Sequence, residues 1–71
     1  MKVELNGDVI ELADGATLHD AALAAGAEPA RRGVAVALDG EVVPGSRLDQ
    51  VELRDGQRIE VVAAIGGGAS G

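Results

Sequence analysis

Apolar and polar residues alternate over residues 1–6, with the apolar ones at the odd positions. This period of two predicts a β-strand with one buried face. Asn6-Gly7 ends the pattern, and both residues tolerate the positive φ angles of a tight hairpin turn. We therefore expect a second strand from Val9 to Leu12 to fold back antiparallel to the first, with its even-numbered residues facing inward.

The segment after this first hairpin has the pattern of a short helix. Thr17 can cap its first turn, and Asp20, three residues later, can complete a capping box. The apolar residues that follow share one face at helical spacing: Leu18, Ala21, Ala22 and Ala25. We expect a helix from about Leu18 to Ala25 that ends at Gly26 and lies close against a sheet, because its apolar face consists mostly of small residues.

Three more strands are predicted in the second half of the chain. Residues 34–38 are apolar on both faces, and Asp39-Gly40 predicts a turn into a short strand that ends at Pro44. The segment after this hairpin has no clear period. A last strand is expected from Arg58 to about Ala64, because apolar and polar residues alternate there again.

This order of elements predicts the fold class. Two hairpins joined by a helical crossover, with a further strand at the end, favour an α+β fold of the β-grasp (ubiquitin-like) type: a mixed sheet of four to five strands with one helix packed across it. The first and last strands would pair in parallel at the centre of the sheet. We expect a domain over residues 1–65 and a flexible glycine-rich tail over residues 66–71, which would leave the sheet from its middle.

The composition limits the core and the partners. The 71 residues include no aromatic residue and no cysteine, so the core must be aliphatic, without disulfides or thiolate-bound metal. The net charge of −6 disfavours nucleic acid, because phosphate binding needs a basic surface, and a basic protein partner fits better. No signal peptide and no apolar run of membrane-spanning length is evident, so we expect a cytoplasmic protein without membrane contact.

The side chains suggest no active site of the chain's own. His19 is the only histidine, and no cysteine or second histidine could complete a metal shell, so we expect it to be an exposed surface residue. Ser46 has no base partner that the sequence can supply. The Arg31-Arg32 pair is too small for a nucleic-acid footprint. We therefore expect neither a metal site nor a bound cofactor.

A run of three glycines, Gly66-Gly67-Gly68, follows the last predicted strand. A phosphate-binding loop would need a helix after the glycines and a nearby lysine, and neither follows here. Two interpretations stay open. The run is a flexible linker, or it is a working tail that can lie extended in a narrow channel of another protein because it has no Cβ atoms.

Four segments together carry a family resemblance: residues 3–7 (VELNG), Thr17-Leu18, residues 34–44 (VAVALDGEVVP) and residues 51–68 (VELRDGQRIEVVAAIGGG). In this order and at this spacing they resemble the small sulfur carrier proteins of thiamine biosynthesis, the ThiS family. The resemblance covers nearly the whole chain.

The resemblance implies a protein co-substrate and not an enzyme. In this family a ubiquitin-activating-like (ThiF-like) adenylyltransferase uses ATP to adenylate the carboxylate of the C-terminal glycine. Sulfur from a cysteine desulfurase then converts it to a thiocarboxylate, which a ThiG-like thiazole synthase receives. By position, Gly68 would be the reacting residue and Gly67 its threading neighbour, and Ile65 and Gly66 would lead the tail into the enzyme.

The resemblance also implies a docking surface. Carriers of this kind dock their sheet face and tail on the activating enzyme. Val42 and Ile65 are therefore candidate contact residues, edged by the acidic side chains of Glu52 and Glu60.

The end of the chain departs from the family pattern, because Ala69-Ser70-Gly71 follow the glycines. Removal by a protease and an addition without function both fit, and use of Gly71 itself ranks behind them. Other functions stay open as well. They are a carrier for molybdopterin, cysteine or tRNA thiolation, and a β-grasp protein modifier or binding module that carries no sulfur.

Overall fold

The strands and the α-helix of this domain follow one another in the order that the sequence predicts. The computed structural model describes residues 1–28 and 33–63. Within these residues the elements are β1 (Lys2–Leu5), β2 (Asp8–Glu11), α1 (Leu18–Ala24), β3 (Val34–Leu38), β4 (Glu41–Val43), the 3₁₀ helix η1 (Gly45–Gln50) and β5 (Arg58–Ala63). The short helix η1 was not predicted, and it occupies the segment without a clear period.

The described strands form one mixed sheet in the order β2-β1-β5-β3-β4. β1 and β5 are parallel, with Leu5 opposite Ile59. The two hairpins and the β3-β5 pair are antiparallel. The last strand therefore lies at the centre of the sheet, next to the first, as predicted. With α1 packed across one face, this topology confirms the β-grasp arrangement.

Both hairpin turns contain the residues that their geometry requires. Asn6 and Gly7 have φ angles of 49° and 88°, and Asp39 and Gly40 have φ angles of 50° and 87°. Positive φ at both central positions suits the right-handed twist of the flanking strands, and Asn, Asp and Gly accept it at the lowest cost. Both predicted turns are confirmed, and Asn6 and Asp39 share one backbone conformation.

The helix α1 begins with the predicted capping box. The Thr17 hydroxyl accepts a hydrogen bond from the Asp20 backbone N–H at 3.3 Å, and the Asp20 carboxylate accepts one from the Thr17 backbone N–H at 2.9 Å. The helix ends at Ala24, with Ala25 as its C-cap. The expectation that Ala25 lies on the buried face is wrong. It is exposed, because the chain turns away from the core through Gly26, whose φ is 82°.

The core is aliphatic and lies between α1, η1 and one face of the sheet. Ile10 and Leu12 pack against it and are half-buried, so the inward orientation predicted for them is confirmed. Its buried members are Val3, Leu5, Leu18, Ala21, Ala22, Val36, Leu48, Leu53 and Ile59. Val3 and Leu5 are among these buried residues, so the alternation along β1 correctly predicted which face of that strand is buried.

Leu48, in η1, is a core residue that the sequence did not predict. Its side chain is 1% exposed, and η1 packs against α1. Its neighbours Arg47 and Asp49 are exposed. A 3₁₀ helix has three residues per turn and is short, so one inward side chain produces neither the period of a strand nor that of an α-helix.

Candidate functional site

β5 is the strand from which the chain continues toward the glycine run. It pairs with β3 from Ile59 to Ala63, whereas its pairing with β1 covers only Arg58 and Ile59. The predicted reacting and tail residues lie outside the residues that the structure describes: Ile65, Gly66, Gly67 and Gly68. The structure therefore bears on the site through β5 and through the sheet face around it.

Two turn residues hold the backbone of β5 with their side chains. The Asp39 carboxylate accepts a hydrogen bond from the Arg58 backbone N–H at 2.9 Å and one from Gln57 Nε2 at 3.4 Å. Asn6 Oδ1 accepts a hydrogen bond from the Val61 backbone N–H at 2.8 Å, and Asn6 Nδ2 donates one to the Val61 carbonyl at 3.3 Å. Asp39 thus binds the first residue of β5, and Asn6 binds a residue near its end.

These two contacts were missed in the sequence, which predicts Asn6 and Asp39 as turn residues only. The residues that they bind are 55 and 19 positions away along the chain. No local pattern indicates such a partner. The contacts exist because the sheet order brings both hairpin turns alongside β5.

The sheet face opposite α1 carries an exposed apolar patch. Ala37 pairs with Val42 on one side and with Glu60 on the other, so these residues form a row across β4, β3 and β5. In the next row Val62 pairs with Ala35. Val42 and Val62 are 69% and 63% exposed. We call Ala35, Ala37, Val42 and Val62 the open-face patch, and Glu60 lies at its border.

Of the predicted docking residues, the structure brings Val42 and Glu60 together. Glu52 lies elsewhere, in the segment before β5, where it forms an isolated bridge with Thr17 at the start of α1. Ile65 is outside the described residues. The docking roles of all four residues stay predictions.

A polar depression of about 270 Å³ lies at the start of β5 and is lined by Glu4, Asp39, Gly56 and Arg58. Arg58 Nε is 3.6 Å from the Glu4 carboxylate, and these side chains are 66% and 41% exposed, respectively. An exposed pair of this kind contributes at most about 1 kcal/mol to stability. The charged side chains that line this depression bind one another and the backbone of β5, so we infer that they stabilise that strand.

The described part of the chain contains neither a group of side chains that could hold a metal ion nor a helix that could span a membrane. His19 is half-buried, which corrects the expectation of an exposed side chain. It lies at the edge of the buried face of α1, between buried Leu18 and exposed Asp20. Within residues 1–28 and 33–63, no three His, Cys, Asp or Glu side chains are grouped to hold a metal ion. In the same ranges, no helix is long and apolar enough to cross a membrane.

The chain matches a known family over almost its whole length. The profile of the ThiS family matches residues 3–68. The chain belongs to the ThiS family. The crystal structure of the thiamine biosynthesis protein ThiS from Geobacter metallireducens is similar, with a TM-score of 0.73 and 27% sequence identity, over 96% of this chain and 100% of that one. A comparison with curated proteins found no match.

These findings confirm the resemblance to a ThiS-like sulfur carrier and agree with the β-grasp topology of the sheet. The match to the ThiS family ends at Gly68, the residue predicted to react, and residues 69–71 lie beyond it. The region that matches the family therefore includes both β5, the last described strand, and the glycine run that follows it in the sequence.

Proposed function

We propose that this ThiS-family protein carries sulfur for thiamine biosynthesis on the carboxylate of its own Gly68, after residues 69–71 have been removed. The position of the glycine run in the sequence, separated by two residues from the central strand β5 and at the point where the family match ends, carries the proposal. A strand in the middle of a sheet fixes the point at which the following segment starts. Positioning a reacting group in advance raises the rate of its reaction. Glycines keep that segment narrow enough for a channel in another protein.

The chemistry needs no side chain of the carrier. A carboxylate is a poor electrophile, so ATP first converts it to an acyl adenylate with release of pyrophosphate. The terminal sulfur of a cysteine desulfurase persulfide then attacks the acyl carbon and expels AMP. A thiol reduces the resulting acyl disulfide to the thiocarboxylate and is itself oxidised to a disulfide. A ThiF-like adenylyltransferase supplies the ATP site, and a ThiG-like thiazole synthase receives the sulfur.

The open-face patch is the surface that we propose for docking on the activating enzyme. Val42 and Val62 present apolar surface that is more than half exposed, on the strand β4 and on β5 itself. An apolar centre with a polar rim is the usual composition of a transient interface. Glu60 at the border and the net charge of −6 favour a partner with a basic rim.

Intact-mass spectrometry tests the proposed reaction. Three forms of the chain, ending at Gly66, Gly68 and Gly71, are incubated with ATP, cysteine, a cysteine desulfurase and a ThiF-like enzyme. We expect only the form that ends at Gly68 to exchange one oxygen atom for sulfur. The form that ends at Gly66 is the matched control, because it keeps every described residue. Circular dichroism checks that all three forms are folded.

The other outcomes point to other functions. If the form that ends at Gly71 is charged without trimming, the reactive carboxylate is that of Gly71. If no form is charged but the protein still binds a partner, it is a modifier or binding module. If the charged protein transfers sulfur to a pterin precursor, to a precursor of cysteine or to tRNA instead of a thiazole precursor, it serves a different pathway.

A further inference from the structure

We propose that Asn6 is a positioning residue for the reaction of the tail, because its side-chain amide holds the outgoing end of β5. The proposal rests on the proposed function, since a role in positioning requires that the segment after β5 reacts. It concerns a residue that contacts the backbone of the strand and not the reacting atoms.

The Asn6 side chain replaces a missing rung of the β1-β5 ladder. The parallel pairing is continued by the Asn6 backbone N–H, which donates to the Ile59 carbonyl at 2.9 Å. In an unbroken parallel ladder the Asn6 carbonyl would next accept from the Val61 N–H. The chain instead turns into the hairpin at Asn6, where φ is 49°. The side-chain amide takes over, accepting from the Val61 N–H at 2.8 Å and donating to its carbonyl at 3.3 Å.

This anchor binds β5 on the side where the sheet stops supporting it. On the β3 side, backbone pairing continues to Ala63. On the β1 side, the last paired residue is Ile59, and the Asn6 amide extends the support to Val61. A strand end that is paired on one side only opens more often than one paired on both sides.

The location of Val61 links this anchor to the tail. Val61 is half-buried and packs against the core, whereas the next residue, Val62, is exposed. Gly68 lies seven positions after Val61 in the sequence (68 − 61). Holding Val61 therefore limits the positions from which the tail can start, and this raises the fraction of docked carriers whose terminus reaches the adenylation site.

Asp39 provides a matched control within the same strand. Like Asn6, it occupies the first central position of an exposed hairpin turn, with a φ of 50°, and is followed by a glycine. Its side chain also accepts a hydrogen bond from a backbone N–H of β5, but at Arg58, the first residue of the strand. Asn6→Gly and Asp39→Gly both keep the positive φ without strain and delete one side chain. They differ in which end of β5 is released.

The experiment compares Asn6→Gly, Asp39→Gly and Asn6→Asp with the unmodified chain, in the form that is charged by the activating enzyme. Amide hydrogen exchange, measured by NMR without any partner, reports on residues 61–63. We expect the Val61 amide to exchange about two- to tenfold faster in Asn6→Gly, which corresponds to the loss of one hydrogen bond. In Asp39→Gly the exchange of the Val61 amide should stay within about twofold of the unmodified chain.

Kinetics of ATP-dependent activation then separate positioning from stability. We expect Asn6→Gly to lower kcat about two- to tenfold with KM unchanged, because the open-face patch is intact and only the productive fraction of docked tails falls. Asp39→Gly should keep both constants. Asn6→Asp retains the oxygen that accepts from Val61 but places a second carboxylate oxygen where the amide donates to the Val61 carbonyl, so it should recover only part of kcat.

Each contrary result overturns the proposal. Unchanged exchange at Val61 in Asn6→Gly would show that the amide does not hold the strand. Equal losses of kcat in Asn6→Gly and Asp39→Gly, or a change in KM alone, would leave Asn6 a structural residue only. If the unmodified chain is not activated in any form, the proposed function fails and the positioning role fails with it, whereas the exchange data still decide whether the anchor exists.

Discussion

Truncation of Leu48 tests whether η1 forms part of the core. Leu48 is 1% exposed and belongs to the same buried cluster as Leu18, Ala21 and Ala22 of α1. Leu48→Ala removes an isopropyl group from this cluster. Leu23→Ala removes the same group from α1, where the side chain is 51% exposed. The two variants are therefore matched in chemistry and differ in burial.

The expected magnitudes follow from that difference. Leu48→Ala should lower the free energy of unfolding by about 2–5 kcal/mol, as buried leucine truncations do. A chain of 71 residues has a total stability of about 4–11 kcal/mol, so this loss is a large share of the total. Leu23→Ala should cost less than about 1 kcal/mol, because little apolar burial is lost and alanine favours helix. A difference of about 2 kcal/mol corresponds to roughly 8–16 °C in Tm.

Urea unfolding followed by far-ultraviolet circular dichroism is the suitable assay, because the chain has no aromatic residue for fluorescence. The midpoint should fall much further for Leu48→Ala than for Leu23→Ala, with equal slopes of the free energy of unfolding against urea. Equal midpoints with equal slopes would refute the placement of Leu48 in the core.

Three further substitutions test the open-face patch, its border and the helix cap. Val42→Thr should raise the KM of the ThiF-like enzyme about fivefold, because burying an unpaired hydroxyl costs about 1 kcal/mol or more. Val9→Thr, equally exposed at 69% on the opposite edge strand, should not change it, and equal effects would exclude docking through the patch. Glu60→Lys should slow association at low salt, with a difference that shrinks as salt rises; a salt-independent effect would contradict the electrostatic role. Thr17→Ala should lower the free energy of unfolding by about 1 kcal/mol in urea titrations, whereas Thr17→Ser should retain most of it. Equal losses would mean that the cap contributes nothing.

The elements with local causes could be predicted from the sequence. Alternation located β1 and its buried face, and Asn6-Gly7 and Asp39-Gly40 located the turns, because Asn, Asp and Gly accept positive φ at low cost. The spacing of Thr17 and Asp20 located the start of α1. In each case the residues that carry the signal are at most a few positions apart.

The predictions failed where burial depends on distant parts of the chain. Leu48 is buried because η1 packs against α1, and its own neighbours give no period that indicates it. Ala25 has the spacing of a buried helical residue, yet it is exposed because the chain leaves the core there. His19 is half-buried because it lies at the edge of the packed face of α1.

The sequence by itself determined the order of the five strands and the helix α1, the aliphatic core and the resemblance to the ThiS family. Only the tertiary structure decided that Asn6 binds Val61, that Asp39 binds Arg58, and that Val42 and Glu60 lie in one row of the open face. The physical reason is the distance along the chain over which each kind of interaction acts. Propensity, capping and turn formation act between near neighbours, whereas strand register and side-chain packing join residues that meet only once the loops between them have closed.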